Sequence, residues 1–327
     1  MNAFDPSGKA MPMPQSASAQ PRIAILVPCY NEELTIEHVV QDFRASLPHA
    51  EIHVYDNNSR DRTQEVAQGA GAIVWLERRQ GKGNVVRRMF ADIDADIYVL
   101  VDGDATYDAS SAPEMVRRLV AENLDMVVGC RVHTDAAAYR AGHRTGNAML
   151  TGFVARLFGR SFSDILSGYR VFSRRFVKSF PALSKGFETE TELTVHALEL
   201  RMPVAEVETP YGARRDGSVS KLSTYRDGFR ILRLILALYK HERPLFFFSM
   251  VALLLAFTAL GFATPVIVEW LRTGLVPRLP TAILATGIMI LACLSLTVGL
   301  VLETVTRGRQ ELKRLMYLQI PLFRARQ

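Results

Sequence analysis

Cysteine is scarce: Cys29, Cys130 and Cys293 are the three in 327 residues, far apart and without metal-type spacing. That excludes a disulfide framework and a cysteine-built zinc site. An acidic excess is missing too, since 39 Lys and Arg against 33 Asp and Glu leave a net charge of +6. Such a balance permits nucleic acid or a membrane surface as partner, and the placement of the basic residues decides between them. The first 20 residues are Met, Pro, Ser, Ala and Gln with little charge and no long apolar core, so a disordered leader over 1–21 is expected rather than a secretory signal. Charge itself disappears from 245–268 and from 281–302. About 20 apolar residues suffice to cross a bilayer, so each stretch is long enough to be a span.

The first half alternates apolar runs with helical patterns. Ile23-Ala-Ile-Leu-Val27 predicts a buried strand that breaks at Pro28 and is followed by a helix through Phe43. Glu51-Ile-His-Val-Tyr55, Ala72-Ile-Val-Trp-Leu76, Ile97-Tyr-Val-Leu-Val101 and Met126-Val-Val-Gly-Cys130 predict four further strands. This alternation is that of a parallel α/β sheet whose functional loops share one edge. The acidic, amide-rich Asp56-Asn-Asn-Ser-Arg-Asp-Arg-Thr63 cannot continue a strand, and Asp61 or Thr63 is placed to cap the next helix. Gly81-Lys-Gly-Asn84 predicts a turn into a basic helix.

The fourth strand ends in two carboxylates, Asp102 and Asp104, with Gly103 expected to let the backbone turn between them. Carboxylates so close repel each other unless a cation sits between them and something anionic. The pattern is therefore a candidate divalent-metal motif, set against the plainer reading of a polar turn. Tyr30, Glu32 and Asp56 also fall just after strand ends, where ligands of open α/β sheets bind.

Taken in order, Val27-Pro-Cys-Tyr-Asn-Glu-Glu33, the Asp56 to Thr63 loop, Gly81-Lys-Gly83 and Asp102-Gly-Asp104 resemble the successive signatures of glycosyltransferase family 2, whose fold is called GT-A. Asp164-Ile-Leu-Ser-Gly-Tyr-Arg170, Gly186-Phe-Glu-Thr-Glu190 and the segment from Arg214 to Ser220-Lys-Leu222 narrow the resemblance to the branch that glycosylates polyprenyl phosphates. The resemblance implies inverting transfer of one sugar from a nucleotide diphosphate, with Mg²⁺ or Mn²⁺ held by Asp104 and, beside it, Asp102. It implies nucleotide-sugar contacts from Pro28, Tyr30, Glu32, Asp56 and Lys82. It puts Arg131 and Arg144 at the lipid phosphate, and Ser220 and Lys221 in a loop that closes over the donor.

Arg170 joins Arg131 and Arg144 as an acceptor-phosphate candidate, because several arginines gathered on one phosphate bind it by charge-assisted hydrogen bonds. Arg140 reads equally as surface charge, and Asp164 and Arg170 equally as a structural ion pair; Arg214 is a further candidate. Thr106 stands where many relatives carry Gln, which leaves a third protein ligand for the metal unspecified. Glu190 is a candidate base, against the reading of Glu188, Glu190 and Glu192 as the acidic first turn of a helix running to Leu200. A phosphate monoester has a second pKa of about 6, so it arrives ionised and needs no strong base. Sugar-hydroxyl acceptors do need one, and the Gln-x-x-Arg-Trp motif that usually accompanies them is absent from the chain. UDP-glucose is the favoured donor, ahead of GDP-mannose and UDP-linked GlcNAc, galactose or uronic acid. The alternative of another class is a catalytically silent, nucleotide-binding membrane scaffold.

The domain expected over 22–225 is followed by an amphipathic pattern over 226–243, in which Phe229, Leu232, Leu236 and Tyr239 recur at helical spacing among Arg226, Arg230, Arg233, Lys240 and Arg243. That predicts an interfacial helix with basic groups for anionic headgroups. The two uncharged stretches then form a hairpin joined by a turn over 269–280. Basic residues lie outside it, at Arg243 and at Arg307, Arg309, Lys313 and Arg314, whereas the turn holds only Arg272 and Arg278. Both ends are therefore expected on the cytoplasmic side of a bacterial inner membrane. The basic tail over 304–327 is expected to lie along the same surface or to support a homo-oligomer contact. The densest basic clusters flank the spans, so nucleic acid is not an expected partner.

Overall fold

The structure, a computed structural model, describes residues 20–133, 152, 162–182, 188–212, 240, 243–321 and 323. Nearly all of the leader and of the interfacial helix read from the sequence lies outside the described residues. Seven strands, β1 (Ile23–Cys29), β2 (Glu51–Asp56), β3 (Ile73–Leu76), β4 (Ile97–Leu100), β5 (Met126–His133), β6 (Arg170–Ser173) and β7 (Val204–Tyr211), form one sheet in the order β3-β2-β1-β4-β6-β5-β7. The pairs β1–β2, β1–β4, β2–β3 and β5–β7 are parallel. β6 is antiparallel to both β4 and β5, so the sheet is mostly parallel rather than wholly so. That reversal positions the site. Because β6 enters where β4 ends, with Arg170 opposite Leu100, the segment just before it is carried against the carboxylates that follow β4.

Helices α1 (Ile36–Ser46), α2 (Thr63–Gly69), α3 (Lys82–Asp92), α4 (Ala112–Ala121), α5 (Arg174–Ser179) and α6 (Thr189–Glu199) cover the sheet. Side chains alternate across each strand. Ile25, Val27 and Val99 thus join one core with α1 and α4, while Leu26, Tyr98 and Leu100 join another with α3, α5 and α6. α1 buries Ile36, Val39, Val40 and Phe43, the one-faced spacing of an amphipathic helix.

Two local expectations change. β1 does not break at Pro28 but runs to Cys29. The carbonyls of Leu26 and Cys29 accept the N–H groups of Val101 and Asn57, so Pro28 faces the β4 side beyond the last pair, Leu26 with Leu100. Its missing N–H breaks no ladder bond there. Gly103 is not among the glycines with positive φ; Ala105, at φ 55°, turns the backbone instead. What requires Gly103 is close approach, because a Cβ there would lie 2.6 Å from Cys29 Sγ.

Beyond the sheet, α7 (Pro244–Thr273) and α8 (Leu279–Gln319) are long and apolar enough to cross a membrane. The turn between them is shorter than expected from the sequence, because α7 continues through Glu269 and Trp270 and ends at Gly274 in the left-handed conformation. Buried Ala252, Ala259 and Val266 of α7 recur every seven residues, as do Ala285, Ala292 and Gly299 of α8. A seven-residue repeat of small residues lets two helix backbones approach along one seam. A Cβ on Gly299 would lie 2.9 Å from Phe248 Cβ.

The expected surface tail is instead helical through Gln319 and touches the chain's own sheet domain. Lys313 Nζ lies 2.6 Å from Glu199 Oε2, and Tyr317 Oη donates to Asp125 Oδ2 at 2.8 Å. His196 is buried beside this contact, with Phe176, Phe180 and Ser179 of the α5 region around its ring. Burial first, and then the Lys313 charge, lowers its pKa from 6.5 to about 3. The unfolded chain accepts a proton that the folded chain refuses, so this contribution is fully present above pH 6.5 and diminishes as pH falls toward 3. The loss is about 1.4 kcal/mol per pH unit in that window. Thermal unfolding in detergent at pH 7 and pH 5 is expected to show it and His196→Gln to remove most of it; an equal drop in the variant would locate the titration elsewhere.

Candidate functional site

The site forms at the carboxyl ends of β1, β2 and β4, where three loops are laced together. Asn31 N–H donates to Ser59 Oγ at 2.9 Å, Glu32 N–H to Thr63 Oγ1 at 2.9 Å and Glu33 N–H to Asp61 Oδ2 at 3.3 Å. Thr35 Oγ1 donates to the Gly103 carbonyl at 2.7 Å, tying the first loop to the Asp102–Asp104 turn. Asn57 ties in the third loop: its amide donates to the carbonyls of Glu77 and Arg79 at 2.9 and 2.8 Å, and its Oδ1 accepts the Gly81 N–H at 2.7 Å. Gly81, at φ 127°, then starts α3 at Lys82. Asp61 accepts the Thr63 N–H at 3.1 Å, but the residue at the N-cap is Arg62 and the helix has no side-chain cap, so neither Asp61 nor Thr63 caps it as expected. Thr35 and Asn57 are scaffold residues that sequence reasoning passed over, because each acts on a loop distant along the chain.

Pro28, Tyr30 and Glu32 are half-buried in this rim. Asp56 is fully buried; Oδ2 accepts the Ser59 N–H at 3.0 Å and Gln64 Nε2 at 2.8 Å, while Oδ1 has no partner. An unsatisfied buried carboxylate oxygen is costly, so Asp56 is poised to accept a ligand's hydrogen bond.

Lys82 Nζ lies 2.5 Å from both Asp102 Oδ1 and Glu190 Oε1. Burial alone lowers the lysine pKa, but the charges and hydrogen bonds of the two carboxylates outweigh it and hold the ammonium above its ordinary range. The chain's own cation thus occupies the place beside Asp102 where electrostatics demanded one. Glu190, at the start of α6, is buried and its Oε2 has no partner. Asp104 is buried as well, and its Oδ1 accepts Thr106 Oγ1 at 2.6 Å and the Thr106 N–H at 3.3 Å. Thr106 therefore orients Asp104.

Asp102 leans on the loop that precedes β6. A Cβ on Gly168 would lie 2.5 Å from Asp102 Oδ2 and 3.0 Å from its Cγ, and the Gly168 N–H donates to Tyr107 Oη at 2.9 Å. Gly168 has no positive φ, so alanine is allowed by its backbone, and the three atoms its Cβ would meet first all belong to Asp102. Gly168→Ala is accordingly expected to displace that carboxylate, lowering activity at least tenfold while costing no more than about 1–3 kcal/mol of stability. Turnover and thermal unfolding measured on one preparation check this; full activity would mean that Asp102 need not stand where it does.

The described residues contain no group of three or more His, Cys, Asp or Glu able to hold a metal. Asp102 and Asp104 nonetheless fit Mg²⁺ or Mn²⁺ as part of an all-oxygen set, because such ions take one or two carboxylates and complete their shell with substrate phosphates and water.

At the end of β5, Arg131 and Asp164 form a two-point pair, Nε to Oδ2 at 2.6 Å and Nη2 to Oδ1 at 2.8 Å. Burial pushes Asp164 upward, but the hydrogen bonds and charge of Arg131 prevail and leave it below its ordinary range. The guanidinium also lies 5.5 Å from the Tyr211 ring centroid, and Tyr211 packs on Tyr107. Tyr107 feels both Asp102 and Arg131, and burial raises its phenol pKa. It links the two halves of the site, and as a lone aromatic just past the Asp pair it carried no sequence signal of that role. Arg170 requires a correction. It is fully buried, with Nε on the Ser167 carbonyl at 2.9 Å, Nη2 on the Ile165 carbonyl at 2.5 Å and Nη1 on Thr194 Oγ1 at 2.8 Å. It cannot reach a lipid phosphate, and Asp164 pairs with Arg131 rather than with it. Arg140, Arg144, Arg214, Ser220 and Lys221 lie outside the described residues.

Comparison with known proteins bears on the family and the fold. The model of glycosyl transferase family 2 matches residues 24–180. Glycosyltransferase AglJ of Haloferax volcanii is 35% identical over 269 residues, 82% of this chain and 88% of that protein. The dolichyl-phosphate hexose transferase of the same organism is 28% identical over 68% of this chain and 95% of its own length. Among solved structures, glucosyl-3-phosphoglycerate synthase from Mycobacterium tuberculosis, in complex with Mn²⁺, UDP-glucose and phosphoglyceric acid, superposes with a TM-score of 0.55 at 23% identity, covering 66% of this chain and 79% of that one. The last likeness shows a shared fold.

Proposed function

The chain belongs to glycosyltransferase family 2, and on that premise we propose that it transfers one sugar, with inversion, from a nucleotide diphosphate to a polyprenyl phosphate. UDP-glucose is the first choice of donor and undecaprenyl phosphate, in a bacterial inner membrane, of acceptor. The observation that carries this reading is the union, in one chain, of the Asp102–Asp104 turn with two helices long enough to cross a membrane. A water-soluble acceptor would need no such anchor, and a relative over two thirds of the chain is named for transfer to dolichyl phosphate.

Asp102 and Asp104 would hold Mg²⁺ or Mn²⁺ against the diphosphate. Bound there, the ion neutralises the charge that develops on the leaving diphosphate. Lys82 adds a second positive charge, kept in place by Glu190. Asp56 Oδ1, lacking a protein donor, accepts from the base, and Pro28, Tyr30 and Glu32 line the same rim. Arg131 spends Nε and Nη2 on Asp164, which leaves Nη1 for an acceptor phosphate oxygen. Arg144, Ser220 and Lys221 are proposed to complete that side. A phosphate oxygen then attacks the anomeric carbon as the bond to the diphosphate breaks, and the electron pair leaves with the nucleotide. No proton has to be removed, since the monoester is largely ionised at neutral pH, so Glu190 serves here as the holder of Lys82.

The test is transfer of labelled sugar from a panel of UDP and GDP donors to undecaprenyl phosphate in detergent, with Mg²⁺, Mn²⁺ or chelator. An acid-labile lipid product from one donor, lost with chelator, is expected. Nucleotide binding without lipid product from any donor would overturn the reading, in favour of a different acceptor first and a silent scaffold second.

A further inference from the structure

The 41 residues of α8 run without interruption from the apolar hairpin to the sheet domain, a length of about 60 Å at 1.5 Å per residue. Its uncharged part ends at Leu302. From there to Tyr317 the helix rises about 22 Å. The contact it makes is specific. Glu199, whose side chain is 1% exposed, is paired with Lys313. Asp125, fully buried, receives Tyr317 Oη and Arg175, and the Arg175 guanidinium lies 4.8 Å from the Tyr317 ring centroid. Opening this dock would strand a buried carboxylate, which is strongly unfavourable. Within the hairpin, Ser295 Oγ donates to the Phe248 carbonyl at 3.1 Å, bracing α8 against α7.

Asp125 immediately precedes β5, at the sheet edge opposite the site. From Asp125 to Arg131 the chain advances about 20 Å as a strand. The span from the membrane boundary to the dock is therefore matched by the span from the dock to the acceptor-side arginine. We propose that the last four turns of α8 are a strut that sets the height of the sheet domain over the bilayer, with Lys313 and Tyr317 as positioning residues that hold the Arg131 end at the lipid surface. The proposal rests on the membrane and acceptor assignments made above, and its test separates its failure from theirs.

Two variants of the full chain, reconstituted in vesicles, probe the strut. A seven-residue helical insertion between Arg307 and Gly308 adds about 10 Å and nearly two whole turns, so it preserves the docking face while lifting the domain. Lys313→Ala with Tyr317→Ala releases the dock, and Lys313→Arg serves as its conservative control, because it keeps a cation for Glu199 and leaves the Tyr317 hydroxyl on Asp125. Domain height is read by energy transfer from a donor dye on the sheet domain to acceptor dyes at the bilayer surface, and transfer is assayed with bilayer-embedded undecaprenyl phosphate and with a short, detergent-dispersed polyprenyl phosphate. The expected result is a height greater by about 10 Å for the insertion, a broadened height for the released variant, and at least tenfold loss on the bilayer acceptor for both. The conservative control and the short acceptor are expected to stay within twofold of the parent. Unchanged height in both altered variants, or parental bilayer transfer despite a lifted domain, overturns the strut. If the parent glycosylates neither acceptor, the proposed function fails while the height measurement still decides the strut.

Discussion

An Asp104→Asn chain is expected to fold like the parent and to transfer sugar at least about a thousandfold more slowly, equivalent to about 4 kcal/mol of lost transition-state stabilisation. The fold should persist because asparagine keeps the shape and the acceptor oxygen that Thr106 Oγ1 and N–H address at 2.6 and 3.3 Å. What it loses is one negative charge at the carboxyl end of β4, where Asp102 is already engaged by Lys82 at 2.5 Å. The prediction tests the proposal that this charge, beside Asp102, helps to hold a divalent ion. Two measurements separate this from general damage. The thermal midpoint should be close to the parent's, and Mn²⁺ should no longer tighten binding of the nucleotide diphosphate. Parental turnover in Asp104→Asn would remove the metal assignment.

Removal of Arg131 should act on stability as well as on acceptor use. Arg131→Ala leaves Asp164, 9% exposed at its side chain, without its two-point partner, and stranding one member of a buried pair typically costs about 3–5 kcal/mol. The sign with pH follows from the carboxylate. In the parent the lowered pKa of Asp164 makes the pair a stabilising contribution above the ordinary carboxylate value of 3.8, lost as pH falls through the folded value. In Arg131→Ala the opposing influence of burial is left in command, so Asp164 titrates higher and stability falls as pH rises past that value. Arg131→Ala with Asp164→Asn should recover much of the stability without recovering use of the lipid phosphate. A double-mutant cycle in unfolding and in acceptor KM checks both halves. Restored acceptor affinity in the double variant would mean that Arg131 only braces the loop and never meets the phosphate.

Five of the seven strands are legible in the sequence as apolar runs, the mark of buried parallel strands, although β3 lies at the sheet edge and is largely exposed. β6 and β7 are not so legible: Arg170-Val-Phe-Ser173 opens on an arginine, and Val204–Tyr211 mixes two glutamates into its run. Both owe their conformation to pairing with β5. The same limit governed the site. Asp102, Asp104 and Asp56 stand at strand ends, and Lys82 at a helix start, that local pattern locates, whereas the partner of Asp164 is a choice between Arg131 and Arg170 that only packing makes.

Composition and spacing thus determined the class of fold, the edge that carries the site and the presence of two apolar helices, since each depends on periodicity and length within a single segment. Tertiary structure decided what depends on segments far apart meeting. It buried Arg170 and gave Asp164 to Arg131, set Glu190 on Lys82, required glycine at 168 because Asp102 presses there, and turned an expected surface tail into a helix fastened at Glu199 and Asp125. The charge of an arginine is written in the sequence; whether it faces solvent, a ligand or the core is settled by which elements pack around it.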